Sequence, residues 1–223
     1  MGLAYGYDIY LPPGNVARAL VNLAALTPPR TDRPPLELTL PGGDRIVVPF
    51  TSDWKSAPVD CSPRGTLDLD TSIMFGVDDA VREYAERCGL DVEQDGRVGI
   101  GYVYLTIRFE SMLHPGYASL EFWAATSAMS RLFARSARVR EVFTGLTAAS
   151  GGVCCLFDIG DGSFGPVCWL NGETVQQEDS DSAYPDREDL VASWPDPAPD
   201  LVLDLDPDTD TDTDTDLDLG RDR

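Results

Sequence analysis

An α+β domain, in which helices pack on an antiparallel or mixed sheet, is the fold that three observations in this sequence predict. Short runs alternate apolar and polar residues, the period of strands with one buried face. Between them lie stretches whose apolar residues recur every three or four positions, the period of a helix with one buried stripe. Asp-Gly and Gly-Gly pairs fall where two strand-like runs meet, as two-residue hairpin turns require, because their central residues need positive φ. Three successive segments follow a β-α-β-β-like order without matching side-chain sequences, and the short spacing of strands argues against a doubly wound nucleotide-binding fold.

The first segment opens with Tyr5, Tyr7, Ile9 and Leu11 on one face of a strand, and Pro12-Pro13-Gly14 leads into a helix over 15–26. Leu36, Leu38 and Leu40 then turn at Gly42-Gly43 into Ile46, Val48 and Phe50. In the second segment Leu67, Leu69, Thr71, Ile73 and Phe75 mark a strand. Val77, Val81, Tyr84 and Cys88 mark a helix ended by Gly89, and Asp95-Gly96 turns into a long strand over 98–110. The third runs from a strand over 117–123 into one helical stretch over 127–148, with Met129, Leu132, Phe133, Val139, Phe143 and Leu146 apolar. A hairpin follows, with Asp161-Gly162 between strands over 153–157 and 167–170. Its two-residue loop predicts that Cys155 lies opposite Cys168 while Cys154 faces the other way. A last short helix is predicted over 185–194, with Pro185 at its first position and Asp186, Glu188 and Asp189 near the positive end of its dipole.

The predicted core gathers the periodic apolar positions: Ile9, Leu20, Leu23, Leu38, Val48, Leu69, Ile73, Val81, Leu105, Ile107, Phe109, Leu120, Phe122, Leu132, Phe143, Val153 and Leu156. The folded domain is placed at 1–195. Residues 196–223 carry eleven aspartates against two arginines, with the run Asp208-Thr209-Asp210-Thr211-Asp212, and are predicted to be a disordered acidic tail. Such a segment buries too little apolar surface to offset the entropy of ordering it.

A net charge of −21 spread over tail and body excludes a nucleic-acid partner, since the chain repels phosphate and has no contiguous basic patch. No apolar run approaches a membrane span and the first residues lack a signal-peptide pattern, so the expectation is a cytoplasmic protein without a membrane partner. All but one of the seventeen basic residues are arginine, a composition typical of GC-rich bacterial genomes. The five cysteines form no Cys-x-x-Cys and have no nearby histidine, so reduced, mostly buried thiols are expected and zinc is not.

No strong catalytic motif stands in the chain, and nothing in it calls for a cofactor. Gly99-Ile100-Gly101 begins a strand, unlike a phosphate loop, and Asp158, Asp161 and Ser163 lack the twelve-residue calcium pattern. His114, the only histidine, lies in a turn-like Leu-His-Pro-Gly with no nucleophile signature beside it. Asp68 and Asp70 project from one face of a strand, where a pair can hold a cation or do acid–base work, although a solvated strand face has the same pattern. Tyr102 and Tyr104 share the polar side of the long strand, with Tyr117 and Trp123 as neighbours if the next strand pairs there. Arg131, Arg135 and Arg138 follow i, i+4, i+7 spacing along the third helix, a stripe suited to carboxylates. Together these point to a non-catalytic module that binds and regulates or neutralises a protein partner, a basic one by charge. The alternative is a small-molecule enzyme or metal-binding protein built on Asp68 and Asp70, with His114.

Overall fold

The computed structural model describes residues 3–28, 35–48, 57–63, 65–160, 165–175 and 186–197. Among the described residues ten strands fall into two sheets: β1 (Gly6–Leu11), β2 (Leu36–Thr39), β3 (Arg45–Val48), β4 (Val59–Asp60), β5 (Thr66–Gly76), β6 (Arg97–Arg108), β7 (Ala118–Ala124), β8 (Cys154–Asp158), β9 (Val167–Leu170) and β10 (Glu173–Thr174). The frame is a seven-stranded, wholly antiparallel sheet in the order β10-β9-β8-β1-β7-β6-β5. The other three strands form a separate sheet in which β2 lies between β3 and β4 and runs parallel to β4. The α+β class predicted from periodicity is therefore present, with the hairpin after the first helix set apart from the main sheet.

One face of the main sheet carries the helices α1 (Val16–Ala24), α2 (Asp79–Cys88), α3 (Ser127–Arg135) and α4 (Ala137–Ala149). Leu20 and Leu23 of α1, Val81 of α2, Phe133 of α3 and Phe143 of α4 join Ile9, Leu105, Ile107, Leu120 and Phe122 of the strands in one apolar cluster. Phe143 is its hub. Its ring stacks on Tyr7 at 4.4 Å and meets Phe122 at 5.0 Å and Phe133 at 5.6 Å. Among the described residues the opposite face carries α5 (Arg187–Ala192), whose Leu190 packs with Trp194 on Tyr10, Tyr117, Cys154, Leu156 and Val167.

Helix ends follow their side chains. Asp78 caps α2 by accepting from Val81 N–H at 2.8 Å, and Gly89 ends that helix at a φ of 64°, a left-handed conformation that costs glycine nothing. The single helix expected over 127–148 is two. Ser136 is extended (φ −91°, ψ 120°), and its hydroxyl accepts from Val139 N–H at 3.1 Å while donating to Asp78 Oδ2 at 2.7 Å. A serine that caps a new helix competes with continuation of the old one. Asp186 likewise caps α5, which begins after it, and Pro185, expected to open the last helix, lies outside the described residues.

Of the predicted core, Phe109 alone is only partly buried, because β6 ends one residue before it. Val153 and Leu156 are buried in the cluster under α5, across the sheet from the others. The register of β8 and β9 also departs from expectation. Leu156 faces Val167 as a two-residue loop requires, but the ladder then slips, so that Cys155 opposes Trp169 and Cys154 opposes Leu170. Cys168 is the additional residue of this bulge and stays on the helix side with Cys155, while Cys154 points to the other side as predicted. The turn at 161–164, Phe50 and the acidic tail from 198 onward lie outside the described residues.

Candidate functional site

Antiparallel pairing places directly opposed residues on one face of a sheet. Across the face that lacks α1–α4, one row runs Asp68, Thr106, Glu121, Asp8 and Leu156, and the next runs Asp70, Tyr104, Trp123, Gly6 and Asp158. The predicted aromatic pair thus does meet Trp123, which is the cross-strand partner of Tyr104. Tyr102 and Tyr104 are 52% and 51% exposed, unusual for rings on a long strand. Tyr117 does not join them. It is buried under Trp194, and its hydroxyl donates to the carbonyl of Pro195.

Asp68 and Asp70 share this face but not an environment: Asp68 is exposed and accepts from Thr106 Oγ1 at 2.8 Å, whereas Asp70 is buried. His114 belongs to the loop before β7. Its Nδ1 accepts from Gly116 N–H at 3.0 Å and its ring lies edge-on to Tyr117, so the neighbours that fix it are those of a turn.

The arginine stripe is divided by the break at Ser136. Arg131 and Arg135 belong to α3 and Arg138 to α4. Arg135 pairs with Glu83 of α2 at 3.1 Å and Arg138 with Glu141 at 2.6 Å, and the latter contact raises the Arg138 guanidinium further above its ordinary pKa. Two of the three charges are therefore matched by carboxylates of the fold itself. Arg138 also borders a groove of about 640 Å³ between α1, α4 and the β5–α2 junction, where Leu26, Val77, Val142 and Leu146 supply apolar wall.

The group that sequence reasoning missed is Asp8. Every residue of β1 is buried, and Asp8 is only 7% exposed, with Oδ1 fully enclosed and without a hydrogen-bond partner. The indole nitrogens of Trp169 and Trp194 share that condition, but neither ring lines the space around Asp8. That space is a cleft of about 160 Å³, bounded also by Glu121, Asp158, Arg187, Trp123, Leu113, Leu156 and Phe157. Gly6, two residues earlier, lets the Trp123 indole lie across β1, since a Cβ there would stand 3.2 Å from that ring and 2.4 Å from the Phe122 carbonyl oxygen. Burial, followed by the charges of Asp158 and Glu121, pushes the Asp8 carboxyl up to about 8, against the opposing pull of Arg187 and Arg108. At neutral pH it therefore holds its proton. An enclosed polar atom with no partner costs roughly 1–3 kcal/mol, and such a cost in a cleft with a displaced pKa marks a functional candidate.

The surrounding carboxylates are better satisfied. Glu121 Oε1 accepts from Arg108 Nε at 2.8 Å and from Ser119 Oγ at 2.9 Å, and Asp158 Oδ1 accepts from Gly160 N–H at 2.6 Å. Next to Asp8, burial and then the Asp8 charge push the Tyr10 phenol far above its ordinary range. Cys154 and Cys155 are raised well above the usual thiol range and Cys168 to about 11, in each case first by burial, so these sulfurs stay protonated and unreactive. Among the described residues no three His, Cys, Asp or Glu side chains are grouped to hold a metal ion, and no helix is long and apolar enough to cross a membrane.

No family model matches the chain, and no curated protein and no solved structure was found to match it.

Proposed function

We propose that the chain is a non-catalytic binding module whose outer sheet face, around Tyr102, Tyr104 and Asp68, docks a protein partner with a basic surface. The observation that carries this reading is the pair of half-exposed tyrosines fixed side by side on β6, next to the exposed carboxylate of Asp68. Tyrosines on rigid strands offer large contact area at a small entropic cost, and are enriched at protein interfaces. A charge of −21 steers a basic partner to the surface and disfavours an acidic one. The unlike surroundings of Asp68 and Asp70 lend no support to an enzyme built on that pair.

The test compares the intact chain with a Tyr102→Ala, Tyr104→Ala double variant as bait in the lysate of the source organism, at about 50 and about 300 mM salt, which bracket strong and weak screening. One stoichiometric partner retained by the intact chain, lost by the variant and weakened at the higher salt is the expected result. Identical captured proteins for both baits would refute the docking face.

A further inference from the structure

We propose that the Asp8 cleft is a binding site for a primary ammonium group carried on a short apolar stem. Four observations converge on this ligand. Asp8 Oδ1 is an enclosed acceptor with no donor, in a cleft whose other carboxylates already accept from Arg108, Ser119 and Gly160. With Asp8 ionised, among the described residues the three carboxylates of Asp8, Glu121 and Asp158 exceed the two guanidiniums of Arg108 and Arg187 by one charge, which a monocation balances. The walls at Leu113 and Leu156 are apolar, and Trp123 adds an indole, the ring to which cations bind best. A volume of about 160 Å³ admits a chain of a few heavy atoms and no nucleotide or peptide segment.

The same contacts argue against other ligands. The described residues provide no three-ligand group for a metal ion, and an anion would face the carboxylates. The inference stands apart from the docking face, because neither Tyr102 nor Tyr104 lines the cleft.

Binding requires Asp8 to give up its proton, since an ammonium needs an acceptor. Among the described residues the groups that face Asp8 are Glu121 of β7, Arg108 of β6, Asp158 of β8, Tyr10 of β1, Cys154 of β8 and Arg187 of α5. Tyr10 and Cys154 stay neutral throughout, because burial raises both. An alkylammonium itself keeps its charge to roughly pH 10. Affinity should therefore climb with pH until Asp8 is ionised in the free protein, and one proton should leave for each ligand bound on the acid side of that point.

Calorimetric titration of the full chain with n-butylammonium chloride tests this at about pH 6, 7 and 8, on the acid side of and near the Asp8 titration. The expected result is saturable one-to-one binding that tightens about ten-fold per pH unit between about pH 6 and 7. Binding should weaken at least about ten-fold in Asp8→Asn, and n-butanol, with the same stem and no charge, should not compete. Should Asp8→Asn fail to fold, the ¹³C shift of the Asp8 carboxyl in the unaltered chain takes its place, and it must move towards the ionised value as butylammonium is added. A capped Gly-Lys-Gly peptide separates the two sources of such a group. Binding by the peptide as well as by butylammonium assigns the site to a partner's lysine, and binding by butylammonium alone assigns it to a free amine. No saturable heat at any pH, equal binding by a folded Asp8→Asn protein, or equal competition by butanol would overturn the proposal.

Discussion

On the helix side of the main sheet Tyr7, Phe75, Phe122, Phe133 and Phe143 meet ring to ring, and the one polar side-chain atom among them, the Tyr7 hydroxyl, donates to Phe133 O at 3.1 Å. On the outer side, one residue along the same strand, Asp8 is buried with an unpartnered oxygen beside two more acids. The two faces of β1 are built from alternate residues, yet the ring cluster satisfies its polar atom and the cleft leaves one open. Burial alone does not distinguish structure from function here, since β1 is buried on both sides. What sets the Asp8 cleft apart is an unpartnered buried acceptor that borders open space among other acids, whereas the unpartnered indole nitrogens of Trp169 and Trp194 do not line that cleft.

The largest effect that sharpens this contrast belongs to the helix side. Phe143→Ala removes the hub ring and should cost about 3–5 kcal/mol in denaturant-induced unfolding, because rings on all sides hold the cavity open. A loss below about 1 kcal/mol would show that the cluster repacks, and that this face is no more specified than the other.

On the outer side the corresponding change should have the opposite sign. The folded pKa of Asp8, about 8, lies above its unfolded value of 3.8, so stability is greatest below the unfolded pKa. It falls as pH rises, because the unfolded chain releases a proton that the folded chain keeps. Asp8→Asn removes that penalty. It should be near neutral at about pH 4 and should stabilise the fold by about 3–5 kcal/mol near pH 8, at about 1.4 kcal/mol for each pH unit between the two values, or roughly ten degrees in Tm, at about 2–4 °C per kcal/mol for a chain of this length. Thermal melts of both proteins across this range check it, and a variant less stable than the parent at pH 8 would place Asp8 among ordinary paired carboxylates.

Ser136→Ala is the smallest change, about 1 kcal/mol of destabilisation from the lost cap of α4. It also removes one of the donors that, against the upward push of burial, hold the Asp78 carboxyl below its ordinary range. Asp78 should therefore titrate at higher pH in the variant, while the outer face is unaffected, as NMR titration can show.

Periodicity alone makes most of the helix side legible in the sequence. Ile9, Leu105, Ile107 and Phe122 fall at strand spacing and Leu20, Leu23, Leu132 and Phe143 at helix spacing, and all are buried where expected. Departures arise where one residue changes the phase. In β6 the inward residues Val98 and Ile100 are followed by Val103 and Leu105, a slip that requires two residues, Gly101 and Tyr102, opposite Ser72. That irregularity is readable from the spacing, as is the Ser136 cap that divides the arginine stripe. The bulge at Cys168 is not, because residues 154–157 and 167–170 are apolar on both faces and leave register unmarked.

Asp8 escapes for a related reason. Tyr5, Tyr7, Ile9 and Leu11 read as the buried face, which makes Gly6, Asp8 and Tyr10 look like the solvated one. Tyr10 is covered by Leu190 and Trp194 and the cleft around Asp8 is bounded by Leu113 and Arg187, all distant in sequence, and no local pattern announces them. The available signal is compositional: an acid flanked at two-residue spacing by glycine and tyrosine is poor company for a solvated carboxylate.

The contrast between the faces rests on one proton. A ¹³C-detected titration of the Asp8 carboxyl in the full chain measures it directly. The expected midpoint is about 8. A midpoint near the ordinary aspartate value of about 4 would mean that water or a protein donor satisfies Asp8, and that the outer face holds no open site.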